Sequence, residues 1–340
     1  MSAHSHSRRE FLRRSSVGTA ALWTLGLGAA ATTHTRANAQ AAFDPLHVLC
    51  SGPPGSIPDI VARRIAEQIP ARHAARVLVD NRAGAAGQIA INALKSGPID
   101  GSTMLLAQGA IATVYPYLYA RLAYDPVADL MPVSLAGEMA LALAVGPAVP
   151  ASVGNVRELA AWMRSNPKLA NVASPGTGTL PHLLEAMLFR EADVPWQHIV
   201  YSGGPPAMVD LLGGQIAALV LPEGLFRQHK ATGRLRVLAT SGAQRTTLLP
   251  DVPTLVEQGF RELVVREWFA FFMAGRTAPS LVDAGSRALQ AAIAQPSLGT
   301  AFAESGMVAM ASTPAALASR IAAEQKVWEP IIRAIGVRAE

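Results

Sequence analysis

The chain has 340 residues, of which 50% are apolar and 16% are charged, a composition that favours compact globular domains over a disordered chain. Its formal net charge is +5, but residues 1–39 hold five arginines and a single glutamate. The remaining residues carry 24 basic and 23 acidic side chains. This balance excludes the strongly basic surface that proteins bound to nucleic acids or anionic membranes present.

The first 39 residues show, in order, the features of a twin-arginine export signal. The arginine pair lies in SRREFLR at 7–13, a weakly apolar run follows at 17–31, and the small-residue sequence Ala-Asn-Ala ends at Ala39. The apolar run is shorter than the ~20 residues of a membrane-spanning helix. We therefore predict cleavage after Ala39 and a mature protein in the periplasm. The only cysteine, Cys50, is predicted to be a buried strand residue rather than a lipid attachment site.

Eight short apolar runs predict β-strands, because they are rich in valine, leucine and isoleucine with little polar alternation. In chain order they are 46–50, 75–81, 102–108, 141–147, 169–174, 198–203, 217–223 and 234–241. Seven further segments place apolar residues at helical spacing. These predicted helices are 60–69, 88–94, 156–165, 182–189, 207–212, 279–294 and 314–335. The alternation of strands and helices predicts a largely parallel α/β sheet.

Three predicted strands end in glycine- and proline-rich loops that lead directly into helices, at 51–59, 174–182 and 201–210. Glycine permits close backbone approach, and proline is tolerated in a first helical turn. Such a loop presents free N–H groups at the positive end of a helix, and ligands of open α/β sheets bind at the carboxyl ends of strands. Three of these loops predict one anion-binding site, although tight turns alone would use the same residue types.

The chemistry of these loops favours a carboxylate over a polyphosphate. The first loop, within CSGPPGSIPDIVAR at 50–63, has no lysine, whereas polyphosphates draw Lys, Arg or Mg²⁺ in addition to backbone N–H groups. The loops instead supply hydroxyl groups, from Ser56, Ser174, Thr177 and Thr179. We therefore expect a singly charged head group, most simply a carboxylate.

Eight stretches of the chain, in their order and spacing, resemble one family of receptors. They are PPGSIPDIVAR (53–63), VLVDNRAGAAGQIA (77–90), DGSTMLLA (100–107), YDPVADLMPVS (124–134), ASPGTGTLPHL (173–183), YSGGPPAMVDLLGGQI (201–216), GRLRVLATS (233–241) and LPDVPTLVEQG (249–259). Over about 43–335, the chain resembles the solute receptors of tripartite tricarboxylate transporters, the Bug (Bordetella uptake gene) family. It departs from the family pattern at Ser56, where a second glycine is usual, and at Ala85-Ala86, which interrupt a glycine run.

The resemblance implies a type II periplasmic-binding-protein fold of the α/β class. Two α/β lobes are then joined by two crossover strands, with a ligand cleft between them. Lobe 1 is expected to comprise 43–142 plus 265–340, and lobe 2 to comprise 143–264. The chain is expected to cross to the second lobe near 141–145 and to return near 265–272.

The resemblance also implies where the ligand binds, because a first-lobe loop and a second-lobe loop of this family hold a carboxylate with backbone groups and bridging water. On this chain those loops are 54–59 and 174–179, and 108–110 and 201–205 are expected to line the same cleft. The residues expected to bind the ligand are Pro54, Gly55, Ser56, Ile57, Asp59, Gln108, Gly109, Ala110, Ser174, Gly176, Thr177, Gly178, Thr179, His182, Tyr201, Gly203 and Gly204. No catalytic residue, metal ligand or cofactor is expected.

Several of these side chains have a structural interpretation beside the ligand-binding one. Asp59 either interacts with the dipole of its own helix or accepts a hydrogen bond from a ligand amine or hydroxyl. His182 either touches the carboxylate or lies at the surface near a helix end. Arg82 either reaches the ligand or braces the first lobe, and Trp268 is expected in the core beside the return crossover.

These observations predict a non-enzymatic, monomeric solute-binding protein that delivers a small carboxylate, an organic acid or amino acid, to a tripartite tricarboxylate-type membrane transporter. The alternative is a sensor that presents the bound ligand to a membrane signalling kinase. An exported hydrolase is least favoured, since the sequence has no G-x-S-x-G, no H-E-x-x-H and no histidine–cysteine cluster with metal spacing. Ser174 and His182 are close enough along the chain to meet, but no acid partner is evident.

Overall fold

The computed structural model describes residues 42–339, so the predicted export signal at 1–39 lies outside the described residues. Within 42–339, no helix combines the length and the hydropathy that crossing a bilayer requires. The strands are β1 (Leu46–Cys50), β2 (Val77–Asn81), β3 (Thr103–Gln108), β4 (Leu130–Val145), β5 (Asn171–Ser174), β6 (Gln197–Val200), β7 (Ala218–Pro222), β8 (Arg236–Thr240), β9 (Arg266–Ala274) and β10 (Met307–Ala309). The helices are α1 (Ile57–Ala66), α2 (Gln88–Ser96), α3 (Ala110–Thr113), α4 (Tyr115–Leu118), α5 (Val156–Ser165), α6 (Leu180–Glu191), α7 (Gly204–Gly213), α8 (Gly224–Lys230), α9 (Pro279–Ile293), α10 (Pro296–Glu304) and α11 (Pro314–Ile335).

The predicted strands and helices are all present, and apart from β4 their ends differ by only a few residues. The sequence did not reveal the short elements α3, α4, α8, α10 and β10. It also missed the first half of β4, which begins at Leu130 rather than near 141. Cys50 is fully buried at the end of β1, as predicted.

The sheet has two halves, and the strand order is β2-β1-β3-β9-β4-β7-β5-β6, with β8 and β10 both paired to β4. Strands β2, β1 and β3 are parallel to one another, and so are β7, β5 and β6. The prediction of a largely parallel sheet is therefore right for these two groups of three strands and wrong for β4, β8, β9 and β10, which run antiparallel to their neighbours. Every antiparallel ladder in the described chain involves β4 or β9, the two strands that run between the halves.

Strand β4 belongs to both halves and carries the crossing. Its residues Leu130–Ala140 pair with β9, whereas Leu141–Val145 pair with β7 and β8. Buried Ser241 fastens this point to the returning chain, because Leu141 N–H donates to Ser241 Oγ at 2.9 Å and Val265 N–H donates to the Ser241 carbonyl at 3.0 Å. The crossing is thus a hydrogen-bonded junction rather than a loose linker.

Some helices cover the sheet by burying one apolar stripe, whereas α6 is buried on most of its surface. In α5 the buried residues Val156, Leu159, Ala160 and Met163 recur at the spacing of a single helix face. The helix begins where the Asn155 side chain accepts the Glu158 N–H, a standard N-cap. Every residue of β3 is buried, which explains its apolar centre at 104–107.

Candidate functional site

A cavity of about 390 Å³ lies where loops from both halves of the sheet meet, and this volume suits a small molecule. Its lining consists of Ser51, Gly52, Pro53, Ser56, Ile57, Pro58, Gly84, Ala85, Ala86, Gly87, Gln108, Tyr119, Pro175, Gly176, Thr177, Thr179, Pro181, Val200, Tyr201, Ser202, Gly203, Gly204, Leu221, Pro222, Leu225, Glu267 and Phe269. Among the described residues, this lining contains one acidic side chain, Glu267, and no lysine, arginine or histidine. The cavity can therefore attract an anion only through backbone and neutral polar groups.

The first loop follows β1 and is folded back on itself by Ser56. The Ser56 hydroxyl donates to the Pro53 carbonyl at 2.6 Å, and the Ser56 N–H donates to the same oxygen at 3.1 Å. Gly52 permits this turn, because a Cβ there would lie 2.3 Å from Ser56 Oγ. Since the hydroxyl closes its own turn, it does not cap α1, and the first N–H groups of α1 have no side-chain cap where the helix meets the cavity.

Asp59 is held by groups of its own half and does not line the cavity. Its carboxylate accepts hydrogen bonds from Gly55 N–H at 3.0 Å, Arg63 Nε at 2.9 Å and Asn81 Nδ2 at 2.9 Å. Both carboxylate oxygens are therefore engaged inside the fold, and the Gly55 N–H is directed at Asp59. Of the two interpretations open from the sequence, this geometry favours the structural one.

The second loop leads into α6 in the same way. The Thr179 hydroxyl donates to the Gly176 carbonyl at 2.7 Å, so it makes no cap for α6. Gly178 has a φ of +79°, and a Cβ there would lie 2.0 Å from Leu118 Cδ2, so only glycine fits. The Gly178 N–H donates to His182 Nδ1 at 3.0 Å. Buried His182 therefore stabilises its own loop. This arrangement differs from both alternatives considered from the sequence, a surface position and a contact with the ligand.

The third loop brings α7 to the cavity and touches the first loop. A Cβ at Gly203 would lie 2.8 Å from Pro53 Cγ, and α7 also begins without a side-chain cap. Tyr201 lines the cavity, and its hydroxyl donates to Asp210 Oδ2 at 2.5 Å. Burial, together with this neighbouring carboxylate, raises the pKa of Tyr201 to about 12.

The uncapped starts of α1, α6 and α7 thus meet at one cavity, as the three glycine–proline loops of the sequence predict. A helix start carries partial positive charge and free N–H donors. Several such starts directed at one small space make a binding site for an anion without any basic side chain.

A fourth lining segment, 84–87, received no ligand role from the sequence. All four of its residues have positive φ, namely +123° at Gly84, +45° at Ala85, +52° at Ala86 and +98° at Gly87. For each alanine the left-handed conformation costs about 1–2 kcal/mol. Two donors to the Ala86 carbonyl offset this cost, Gln108 Nε2 and Tyr115 Oη, both at 2.7 Å. The interrupted glycine run in DNRAGAAG is the signal that marks this turn.

Gln108 ties this turn to the first loop, but the residues after it face elsewhere. Its Oε1 accepts from Ser51 Oγ at 3.1 Å, opposite the bond from its Nε2 to Ala86. A Cβ at Gly109 would lie 2.1 Å from Trp268 Cε2, so Gly109 packs on that indole, while Ala110 is fully buried. Trp268 is a core residue, as predicted.

Buried His182 and partly buried His198 form a cluster behind the second loop. Ser174 Oγ lies 2.8 Å from His198 Nε2, not beside His182, and the two imidazole rings stack with centroids 3.8 Å apart. Burial lowers the pKa of His182 to about 3 and that of His198 to about 4, and it raises the pKa of the fully buried Glu185.

This cluster does not have the geometry of a hydrolase. Glu185 Oε2 lies 3.9 Å from the same His198 nitrogen that faces Ser174. In a serine–histidine–acid triad, the acid orients the opposite ring nitrogen. Ser174 is also fully buried and does not line the cavity. Within 42–339, no group of three histidine, cysteine, aspartate or glutamate side chains is placed to hold a metal ion.

The structure brings about half of the residues predicted to bind the ligand to the cavity wall. Those that line it are Ser56, Ile57, Gln108, Gly176, Thr177, Thr179, Tyr201, Gly203 and Gly204. Those outside the lining are the exposed Pro54 and Gly55, and Asp59, Gly109, Ala110, Ser174, Gly178 and His182, which lie behind the wall. Glu267 and the segment 84–87 are lining residues to which the sequence gave no role.

Comparisons with known proteins agree with the fold. The protein BugT of Bordetella pertussis is 31% identical over 295 residues, which cover 86% of this chain and 90% of BugT. A Pseudomonas sp. strain P51 protein of the UPF0065 group, from the tcbD–tcbE intergenic region, is 31% identical over 304 residues, or 88% of this chain and 90% of that protein.

Solved structures show the same architecture. The periplasmic binding protein BugD superposes with a TM-score of 0.81 at 27% identity, covering 87% of this chain and 99% of BugD. MatC from Rhodopseudomonas palustris, solved with bound malate, gives a TM-score of 0.78 at 24% identity, covering 85% of this chain and 99% of MatC. The expected fold of two α/β lobes joined by crossover strands is therefore confirmed. Residues 61–337 match the family described as tripartite tricarboxylate transporter family receptor, and the chain belongs to that family of periplasmic solute-binding proteins.

Proposed function

We propose that this protein captures a small carboxylate in the cavity and delivers it to the membrane components of a tripartite tricarboxylate-type transporter. The observation that carries the proposal is the meeting of three uncapped helix starts at a cavity whose described lining has no basic side chain. Fixed backbone donors of this kind complement one carboxylate without the partner that a buried arginine would need.

The proposed contacts are the predicted residues that also line the cavity, supported by 84–87 as part of the wall. In this proposal, lobe 1 comprises 43–142 plus 265–340, and lobe 2 comprises 143–264. Closure of these lobes about the junction at Ser241 would bring the second and third loops onto the ligand and exclude water from its hydrogen bonds.

The bound molecules of related structures support the ligand class. MatC was solved with malate, and a second R. palustris protein was solved with adipate; the latter has a TM-score of 0.81 at 23% identity, covering 87% of this chain and 98% of that chain. Both molecules carry carboxylates. We further propose that the receptor is monomeric and reaches the periplasm by the twin-arginine route through the signal at 1–39.

The proposal is tested by native mass spectrometry of the mature protein from Gln40, followed by release and identification of any bound molecule. A thermal-shift panel then compares carboxylates with their primary amides, for example succinate with succinamide. Stabilisation by carboxylates and not by the matched amides is the expected result. If amides stabilise the protein as well as the acids do, or if no carboxylate binds, the proposal is wrong.

A further inference from the structure

Glu267 is directed into the cavity by the alternation of strand β9. Glu267 and Phe269 both line the cavity, so they share one face of the strand. Trp268 between them points to the other face, where its Nε1 donates to Glu324 Oε2 at 2.8 Å. The position of the Glu267 carboxyl group is therefore fixed by a crossover strand of the fold and not by a loop.

This carboxyl group has an unused acceptor atom. Glu267 is 3% exposed, and within the described chain its Oε1 has no hydrogen-bond partner. Arg266, its neighbour on β9, and Arg320, on α11, are both ion-paired with Glu138, at 2.8 and 3.1 Å. A buried polar atom without a partner is costly, so an unsatisfied acceptor in a binding cavity indicates a donor on the ligand.

We infer that Glu267 binds a protonated amino group of the ligand, so that the receptor prefers amino-carboxylates to simple monocarboxylates and dicarboxylates. This inference rests on the proposed carboxylate site. The helix starts would hold the negative end of such a ligand, and Glu267 would hold its positive end. A second carboxylate at this position would instead meet a carboxyl group that offers no cation, and it could be accommodated only while Glu267 stays protonated.

The raised pKa of Glu267 gives the inference a second measurable consequence, a change in the number of bound protons when the ligand binds. Burial, with a further contribution from the nearby charge of Glu324, raises the pKa of Glu267 to about 8. The other titratable group beside it is the buried phenol of Tyr115, which is not a cation. An ammonium group favours the ionised carboxylate, so binding of an amino-carboxylate at neutral pH releases a proton. A dicarboxylate would bind beside the protonated form of Glu267, which already predominates at neutral pH, so its binding should release no proton.

Isothermal titration calorimetry with matched acids tests the inference. The panel pairs γ-aminobutyrate with butyrate and succinate, which have the same number of carbons, and pairs glutamate with glutarate. Each titration is repeated in two buffers of different ionisation enthalpy to count protons. We expect the amino-bearing members to bind more tightly and to release protons. In Glu267→Gln the preference should fall by about tenfold to a hundredfold, the usual range for a hydrogen bond between charged groups.

Glu223→Gln is the matched control, because Glu223 is also a buried glutamate but bonds to Thr246 outside the cavity lining. It should bind like the wild type. If acids without an amine bind as tightly, or if Glu267→Gln keeps the preference, the inference is wrong while the proposed function stands. Absence of binding by every carboxylate would overturn both.

Discussion

A carboxylate placed at Gly176 should weaken ligand binding strongly and leave the fold intact. Gly176 lines the cavity, and its φ is one that any residue adopts. A Cβ there would lie 3.2 Å from Thr179 Cγ2 and 3.4 Å from Ala86 Cβ, so an aspartate fits after a small shift. Two like charges about 5 Å apart repel by about 3 kcal/mol at an effective dielectric constant of about 20. Gly176→Asp should therefore weaken binding roughly a hundredfold.

The assay is calorimetric titration with the acid that the purified protein retains or that stabilises it most. Gly299→Asp is the control, since it introduces the same side chain into open space outside the cavity lining. Thermal unfolding of both variants should remain close to that of the wild type. A dissociation constant for Gly176→Asp within about threefold of the wild-type value would refute the location of the carboxylate at the helix starts.

Three further substitutions test how the site is supported. Gly178→Ala should destabilise the protein by more than Gly233→Ala, because both glycines have positive φ but only the first would collide with Leu118; equal shifts in thermal unfolding would refute this. His182→Asn keeps the acceptor but removes a histidine whose pKa falls to about 3 on folding. This histidine's contribution to stability is complete above its ordinary pKa of 6.5 and is lost as pH falls towards 3. Below pH 6.5, the free energy of unfolding of the variant should therefore fall with pH less steeply than that of the wild type, by about 1.4 kcal/mol per pH unit. The measurement is urea unfolding at pH 7 and pH 5, and an equal loss of stability in both proteins would contradict the prediction. Ser241→Ala leaves a buried N–H at the crossing without its acceptor and should cost about 1–3 kcal/mol, measured by urea unfolding; no change would mean that the junction does not depend on this side chain.

The sequence located the helix starts because the constraints on them are local. Gly52 lies against Ser56 of its own turn, Gly178 and Gly203 have positive φ, and proline in a first helical turn marks where a helix can begin. These residue types therefore predicted the position of the cavity before any tertiary contact was known.

Other features depend on tertiary contacts and were not predictable. The strand β4 was only half recognised, since Pro132 and Gly137 are unusual in a strand. The register of its pairing with β9 shifts next to both of them, and a Cβ at Gly137 would lie 2.7 Å from the Val308 carbonyl. Ala85 and Ala86 adopt a conformation that is rare for alanine, and buried donors from other elements stabilise it.

The roles of the predicted site residues that lie behind the wall were also not predictable from the sequence. Asp59 and His182 both have polar groups suited to a ligand, but each is bonded to the backbone of its own loop. A side chain that rigidifies a binding loop and one that contacts the ligand have the same residue types at similar positions. Only the direction of the hydrogen bond distinguishes them, and that direction requires coordinates.

The separation between backbone and side-chain contacts has a consequence for specificity. The groups that would hold the carboxylate are main-chain N–H donors, so most side-chain substitutions in the loops leave them in place. The inferred selective contact, in contrast, is one side chain on β9, a strand that Ser241 and the ladder with β4 hold rigidly. Anchoring and selection are thus carried by different parts of the molecule. Exchange of the residue at Glu267 should therefore change which acid is preferred while the protein continues to bind acids, and loss of all acid binding in Glu267→Gln, with unfolding unchanged, would show that the two roles are not separate.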